Sequence, residues 1–424
     1  MSGSDFNNVR RRRVFYIPGY DPIHPRRYRE LYRKEGAEQA AISGYALTLS
    51  PGKGDTGRYG WHVQAAIDGT SVETDVEVLV WSDIVRGSMS NTIPATYLQL
   101  LRTAWAYIGS GALWRLMQLR KGPLIAALYP IVMLLVQLFV AILLGHIAGR
   151  ALIWLSTAIP LRGDGGSVLA ARAVVESLCY WGALIVVAPL VLRWFKARDN
   201  RLFAYYLMHD YAYSAQFRGA NPPELEARMA EFADAIAAAL TGDVDEVLVV
   251  GHSSGAHLGV SILADLIRDR RLPANGPALS FLSLGHVVPM VSFLPDAWRL
   301  RRDLAFLAAS DRLTWVDVTA PGDGCAFALC DPVAVTGVAP PDKRWPLVFS
   351  ASFTQTLSPE RWAALKRRYF RLHFQYLCAF DRPKDYDYFQ ITAGPVTLGA
   401  RYHERPASIS RMERAVSKYR SVSP

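Results

Sequence analysis

The stretch VLVVGHSSGAHLG, residues 247–259, decides how the chain is read. Four apolar residues run into Gly251-His252-Ser253-Ser254-Gly255, and a small-residue helical pattern follows. The five residues fit G-x-S-x-G, a turn tight enough that side chains two positions either side of the serine would clash, hence glycine at both. The flanks agree. Asp245 to Val250 is a short, continuously apolar run of the kind that forms a fully buried strand. Gly255 to Asp269 carries Leu258, Ile262, Leu263, Leu266 and Ile267 on one helical face. A strand, a sharp turn and a helix would hold the Ser253 hydroxyl where a substrate can reach it; the alternative is a serine in an ordinary strand-to-helix loop.

Working outward, the chain has 424 residues, 51% hydrophobic, with a mean hydropathy of +0.11. It can fill a large core and still have apolar sequence to spare. The four cysteines, Cys179, Cys325, Cys330 and Cys378, form no C-x-x-C and no metal-finger spacing, which points to buried thiols in a reducing compartment. Net charge is +10, yet apart from Arg10 to Arg13 there is no long Lys/Arg block with interleaved aromatics. The basic excess therefore favours an anionic membrane surface over nucleic acid. The polar opening MSGSDFNNVRRRR lacks the apolar core of a secretory signal. Pro123 to Gly145 is 23 residues without a charge, long enough to span a bilayer. Ser177 to Leu192 is a second uncharged run, which spans if its helix extends back through Val168, past Glu176 and Arg172. Ile147 to Leu161, between them, is apolar but interrupted by Gly149, Arg150 and Pro160. The competing reading is a pair of helices buried in a soluble core.

Val14 to Ile17 is a short strand entering Pro18-Gly19-Tyr20-Asp21, and Pro25 to Glu38 a charged helix. Tyr45 to Ser50 and Trp61 to Ile67 form antiparallel strands around the Gly-rich turn SPGKGDTG, and Val76 to Trp81 is a further strand. One helical stretch, Ala95 to Leu119, leads into the first apolar segment, and Glu224 to Leu240 is an amphipathic helix. Beyond the elbow come strand Leu279 to Leu284, helix Asp296 to Ala309 and strand Leu313 to Val318. The Pro-rich, aromatic tail from Asp331 gives no clear assignment. This alternation predicts a doubly wound, mostly parallel α/β sheet, interrupted by a hydrophobic helical hairpin in the membrane.

The strand–GHSSG–helix unit followed by two more strand–helix units resembles the α/β-hydrolases, in their lipase and esterase branch. The resemblance covers the first 85 residues or so and about 222 to 375. The hairpin is foreign to that fold and would be an insertion. With that insertion the chain is expected to divide into a first part of the hydrolase domain at 1–110, a membrane hairpin at 111–200 with spans near 123–145 and 170–192, a second part at 201–380 and a tail at 381–424. The resemblance implies a serine nucleophile, then an acid, then a histidine in chain order, and no cofactor or metal. Ser253 is the nucleophile, with Gly251, His252 and Gly255 forming the elbow. For the acid, Asp323 in TAPGDG follows strand Leu313 to Val318; Asp317 inside that strand and Asp331 before a proline remain open. For the base, His373 in the aromatic RLHFQYL is favoured over His403 in the charged RYHERP. His286 precedes the acid and breaks the order, as do His252 and His257; His252, beside the nucleophile, is expected to point away from it. The oxyanion hole would combine the N–H of Ser254 with that of Gly19 or Tyr20 in IPGYDP, where many relatives carry His-Gly in place of Pro-Gly.

The expected function is a membrane-anchored serine hydrolase that cleaves carboxylic esters, with the lipid bilayer as partner and lipid-like acyl esters as substrates. The alternative is a non-enzymatic membrane interaction protein on the same fold. The sheet needs strands from both sides of the hairpin, so the chain must cross the membrane an even number of times or dip in and return. Arg115, Arg120 and Lys121 precede the first span and Arg193, Lys196, Arg198 and Arg201 follow the second, against Arg150, Arg162 and Arg172 in the connection between them. With Trp114 and Trp194 near the outer ends, this bias predicts a catalytic domain facing the cytoplasm.

Overall fold

The computed structural model describes residues 8–52, 57–89, 92–158 and 165–424. Lys53 to Thr56 of the SPGKGDTG turn, together with Pro160, Leu161 and Arg162, lie outside the described residues. The chain divides into two compact units: Met1–Ser88 with Ala104–Ile125 and Ser214–Pro424, and Met89–Thr103 with Ala126–Tyr213.

The first unit is built on an eight-stranded mixed sheet. Its strands are β1 (Arg11–Ile17), β2 (Ala46–Pro51), β3 (Gly60–Ile67), β4 (Thr70–Val78), β5 (Glu246–His252), β6 (Ala278–Leu284), β7 (Thr314–Thr319) and β8 (Leu347–Ser350), in the order β2-β3-β4-β1-β5-β6-β7-β8. The pairings β4-β1, β1-β5, β5-β6, β6-β7 and β7-β8 are parallel. Only the pairings β2-β3 and β3-β4 are antiparallel, so β3 alone runs against the other strands. β1 thus pairs directly with β5, with Tyr16 opposite Val250 and Ile17 opposite Gly251, although the whole apolar region lies between them in sequence. Strand order reverses at β1. In open α/β sheets the crevice beyond the carboxyl ends at such a reversal is where ligands bind.

Both faces of the parallel region are covered, which explains its unalternating apolar strands. On one face Val14, Tyr16, Leu248, Val250, Leu282, Leu284, Val316 and Val318 share a core with Tyr28 and Tyr32 of helix Arg26–Ser43 and with Leu372, Tyr376, Phe380 and Phe389 of the C-terminal segment. On the other face lies the elbow helix Gly255–Arg268, so close that a Cβ on Gly259 would come within 2.7 Å of the Phe281 ring. Arg12 and Glu246, at the amino ends of β1 and β5, form an ion pair at 2.6 Å with both side chains wholly buried.

The second unit holds helix Lys121–Ser156 from Ala126 onward and all of helix Gly166–Lys196; these helices run for 36 and 31 residues. Both are long and apolar enough to cross a membrane, and only 22% and 6% of their most apolar windows are buried, against the mostly buried state of a core helix. They contain the expected spans and extend past them. The first continues through Gly149 and Arg150 rather than breaking there. Gly149 is no breaker because it receives the partner helix, and a Cβ there would lie 3.1 Å from Tyr180 Cα; at Gly145 it would lie 2.7 Å from Leu184 Cδ1. His146 Nδ1 and the Tyr180 hydroxyl meet at 3.1 Å.

One further expectation is corrected, and the tail gains an assignment. The single helix from Ala95 to Leu119 is two, Ile93–Gly109 and Ala112–Leu116, parted where Gly111 takes φ +78°. The tail past Asp331 contains β8 and helices of at most seven residues, too short to show a periodicity.

Candidate active site

β5 ends at His252 and the elbow helix begins at Gly255. Between them Ser253 takes φ +57°, a left-handed conformation that costs a non-glycine residue about 1 kcal/mol. Backbone approach dictates the flanking glycines. A Cβ on Gly251 would lie 2.7 Å from Gly255 O, and one on Gly255 would lie 2.1 Å from Ile17 O at the end of β1. The Ser253 N–H donates to Leu284 O at 2.9 Å, which fastens the turn to the end of β6.

The loop after β1 lies against this turn. A Cβ on Gly19 would be 3.0 Å from Ser253 Cβ and 3.4 Å from its Oγ, so the loop lies close against the serine. Trp81 Nε1 donates to Pro18 O at 3.0 Å, and Asp21 accepts from Ile23 N–H at 2.9 Å and from the Tyr28 hydroxyl. The Tyr20 side chain turns away to Ser88, 2.7 Å from its Oγ. Among the described residues, neither the Gly19 N–H nor the Ser254 N–H enters a hydrogen bond. Two backbone donors thus remain available beside Ser253.

Asp323 and His373 come together from the loop after β7 and the short helix Tyr369–His373. His373 Nδ1 lies 2.7 Å from Asp323 Oδ2, and both residues are buried. The carboxylate also accepts from Cys325 N–H at 2.9 Å and from the Tyr376 hydroxyl at 3.0 Å, and that hydroxyl accepts from Ala320 N–H at 2.9 Å. Rings approach the glycines beside Asp323: a Cβ on Gly322 would meet the Trp362 ring at 2.6 Å, and one on Gly324 the Tyr369 ring at 3.0 Å. Gly122, in the first turn of the first apolar helix, approaches the same loop, where its Cβ would lie 3.1 Å from Gly324 Cα.

His252 packs against His373. Opposite Leu284 in the β5–β6 register, it shares the sheet face of Leu248 and Val250, the face covered by the segment that carries His373. Its ring lies 4.8 Å from the His373 ring, and its Nε2 is 3.0 Å from His373 O. Burial, then the neighbouring His373, pushes its pKa down to about 3, so it stays neutral with Nε2–H as the donor.

Asp323, His373 and Ser253 therefore gather at the carboxyl ends of β5, β6 and β7. A Cβ on Gly285, next to the carbonyl that holds Ser253, would lie 3.1 Å from His373 Cε1. The Ser253 hydroxyl itself makes no hydrogen bond to His373 among the described residues. The other candidates are engaged elsewhere. Asp317 accepts from the Ser283 hydroxyl at 2.5 Å and is pushed well above the carboxylate range by burial. Asp331 caps helix Pro332–Thr336 and pairs with Lys343 at 2.6 Å. His286 Nε2 faces Cys330 O at 2.9 Å, His257 is buried in the elbow helix, and His403 is exposed. As metal ligands, Asp323, Cys325 and His373 could act together, their ligating atoms lying within 4.8 Å of one another. Sequence reasoning passed over His252 as a support, along with Tyr376 and Cys325; the only local signal was the spacing of Tyr376 one helical turn past His373. No protein-family profile, curated protein or solved structure matches the chain.

Proposed function

We propose that the protein is a membrane-anchored serine hydrolase of α/β-hydrolase type that cleaves carboxylic esters, lipid-like acyl esters above all. The observation that carries the reading is the left-handed Ser253, held between β5 and its helix, beside the hydrogen-bonded pair Asp323–His373. A serine hydroxyl needs a base to act as nucleophile, and the base needs a fixed tautomer. With Nδ1–H given to Asp323, His373 Nε2 keeps the lone pair that takes the Ser253 proton. Ser253 Oγ attacks the ester carbonyl, and the oxyanion is received by the N–H groups of Ser254 and Gly19. His373 then returns the proton to the departing alcohol, and water releases the acyl group by the reverse sequence. Two apolar helices inserted between β4 and β5 supply the anchor, and the basic residues flanking them favour a cytoplasmic catalytic domain.

One observation favours the non-enzymatic alternative: the open Ser253–His373 hydrogen bond. Such bonds are often long without substrate and tighten in the complex. The deciding experiment is hydrolysis of esters of graded acyl length by the detergent-solubilised chain. Ser253→Ala should lower turnover by several orders of magnitude. Unchanged turnover in that variant sinks the reading.

A further inference from the structure

We propose that Asp323, Cys325 and His373 bind a thiophilic divalent cation, zinc by the chemistry of the donor set, and that the bound ion holds the hydrolase off. The shut-off rests on the hydrolase reading; the binding does not. Carboxylate oxygen, imidazole nitrogen and thiolate sulfur are the donors zinc takes, at about 2.0–2.3 Å. Ligands at those distances on a tetrahedron stand roughly 3.3–3.8 Å apart. Here the three ligating atoms lie within 4.8 Å of one another, so side-chain rotation of about an ångström closes the site. Among the described residues no other three His, Cys, Asp or Glu side chains come together in this way.

The surroundings are those of a prepared site. Metal ligands are normally oriented by further hydrogen bonds. Asp323 is held by the Cys325 N–H and the Tyr376 hydroxyl, and His373 through its carbonyl by His252 Nε2–H. Cys325 follows Asp323 by two residues, in a turn that its own N–H closes onto the carboxylate. Asp323 and His373 are buried whereas Cys325 is half-buried, so the thiol marks the side from which an ion enters.

The proton count explains the inhibition. In the free protein the Nδ1–H of His373 points at Asp323, and Nε2 carries the lone pair needed against Ser253. Zinc on Nδ1 displaces that proton, and the neutral ring then carries its hydrogen on Nε2. No base remains for the serine. The thiol releases one proton to solvent, the imidazole exchanges one nitrogen's proton for the other's, and nothing is oxidised or reduced.

The test uses the full chain in detergent with zinc and, as a spectroscopic stand-in, cobalt. One equivalent of cobalt should give a thiolate-to-metal charge-transfer band in the near ultraviolet, which zinc abolishes. Cys325→Ser should remove the band and weaken zinc binding at least about tenfold. Cys378→Ser, altering another half-buried thiol, should leave both unchanged. Ester hydrolysis by the parent should fall with zinc and recover with a chelator, while Cys325→Ser resists zinc. Absence of the band, or zinc affinity unchanged in Cys325→Ser, overturns the proposal. A chain that binds zinc through Cys325 yet hydrolyses no ester upholds the site and refutes the hydrolase reading instead.

Discussion

Replacing Tyr376 with phenylalanine removes one oxygen and leaves the ring, which packs against Phe353 at 5.0 Å between centroids. That oxygen donates to Asp323 Oδ2 at 3.0 Å and accepts from Ala320 N–H at 2.9 Å. Burial, then the Asp323 charge, raises the phenol well above its usual pKa, so it remains a protonated donor at every pH where a hydrolase works. A hydrogen bond to a charged group contributes about 1.5–3 kcal/mol. If that energy serves to orient Asp323 and His373, its loss lowers kcat by roughly 10- to 150-fold. The orphaned Ala320 N–H adds a stability loss of about 1–3 kcal/mol. Steady-state hydrolysis of a short-chain ester, together with urea unfolding, separates the two effects. A positioning residue moves kcat and leaves KM near its parent value. A folded Tyr376→Phe variant with kcat within about twofold of the parent refutes the assignment.

The buried pair at the amino ends of β1 and β5 gives a second expectation. Arg12 also donates to Gly394 O and Val396 O, each at 2.7 Å, so Arg12→Met strands Glu246 and two carbonyls. It should cost about 3–5 kcal/mol in urea unfolding, and a loss under about 1 kcal/mol contradicts it. A third concerns acid. His252, His257 and His286 are buried with pKa values pushed down, by burial first, to about 3, 4 and 4, from 6.5 when unfolded. The unfolded chain therefore takes up protons first. The contribution of each is complete above pH 6.5 and declines as pH falls, by about 1.4 kcal/mol per pH unit, until the folded value is reached. His257→Gln should flatten the fall in stability measured between pH 7 and 5; an unchanged slope speaks against it.

Residues whose constraint is local were legible in the sequence. Gly251 and Gly255 announce the elbow because backbone passes within reach of their absent side chains, and a strand and helix flank it on either side. The apolar helices were legible because length and lack of charge alone specify them. Asp323 stood out by its tight loop after a strand and His373 by its aromatic setting, and they are hydrogen-bonded. What stayed hidden depends on distant partners. His252 supports His373 because β5–β6 register turns it toward a segment about 120 residues away. The helix through Arg150 survives because Gly149 faces Tyr180 across the hairpin. The tail covers a sheet face with short helices whose apolar residues face the core without a repeating pattern, among them Leu372, Tyr376 and Phe380.

The most direct measurement is the mass of the intact chain after reaction with a fluorophosphonate, followed by peptide mapping. One adduct per chain should appear, on the peptide containing Ser253. It should vanish in Ser253→Ala and form far more slowly in His373→Ala, while His403→Ala labels as the parent does. No adduct on the folded parent, or an adduct that persists in Ser253→Ala, would contradict a nucleophile at the end of β5.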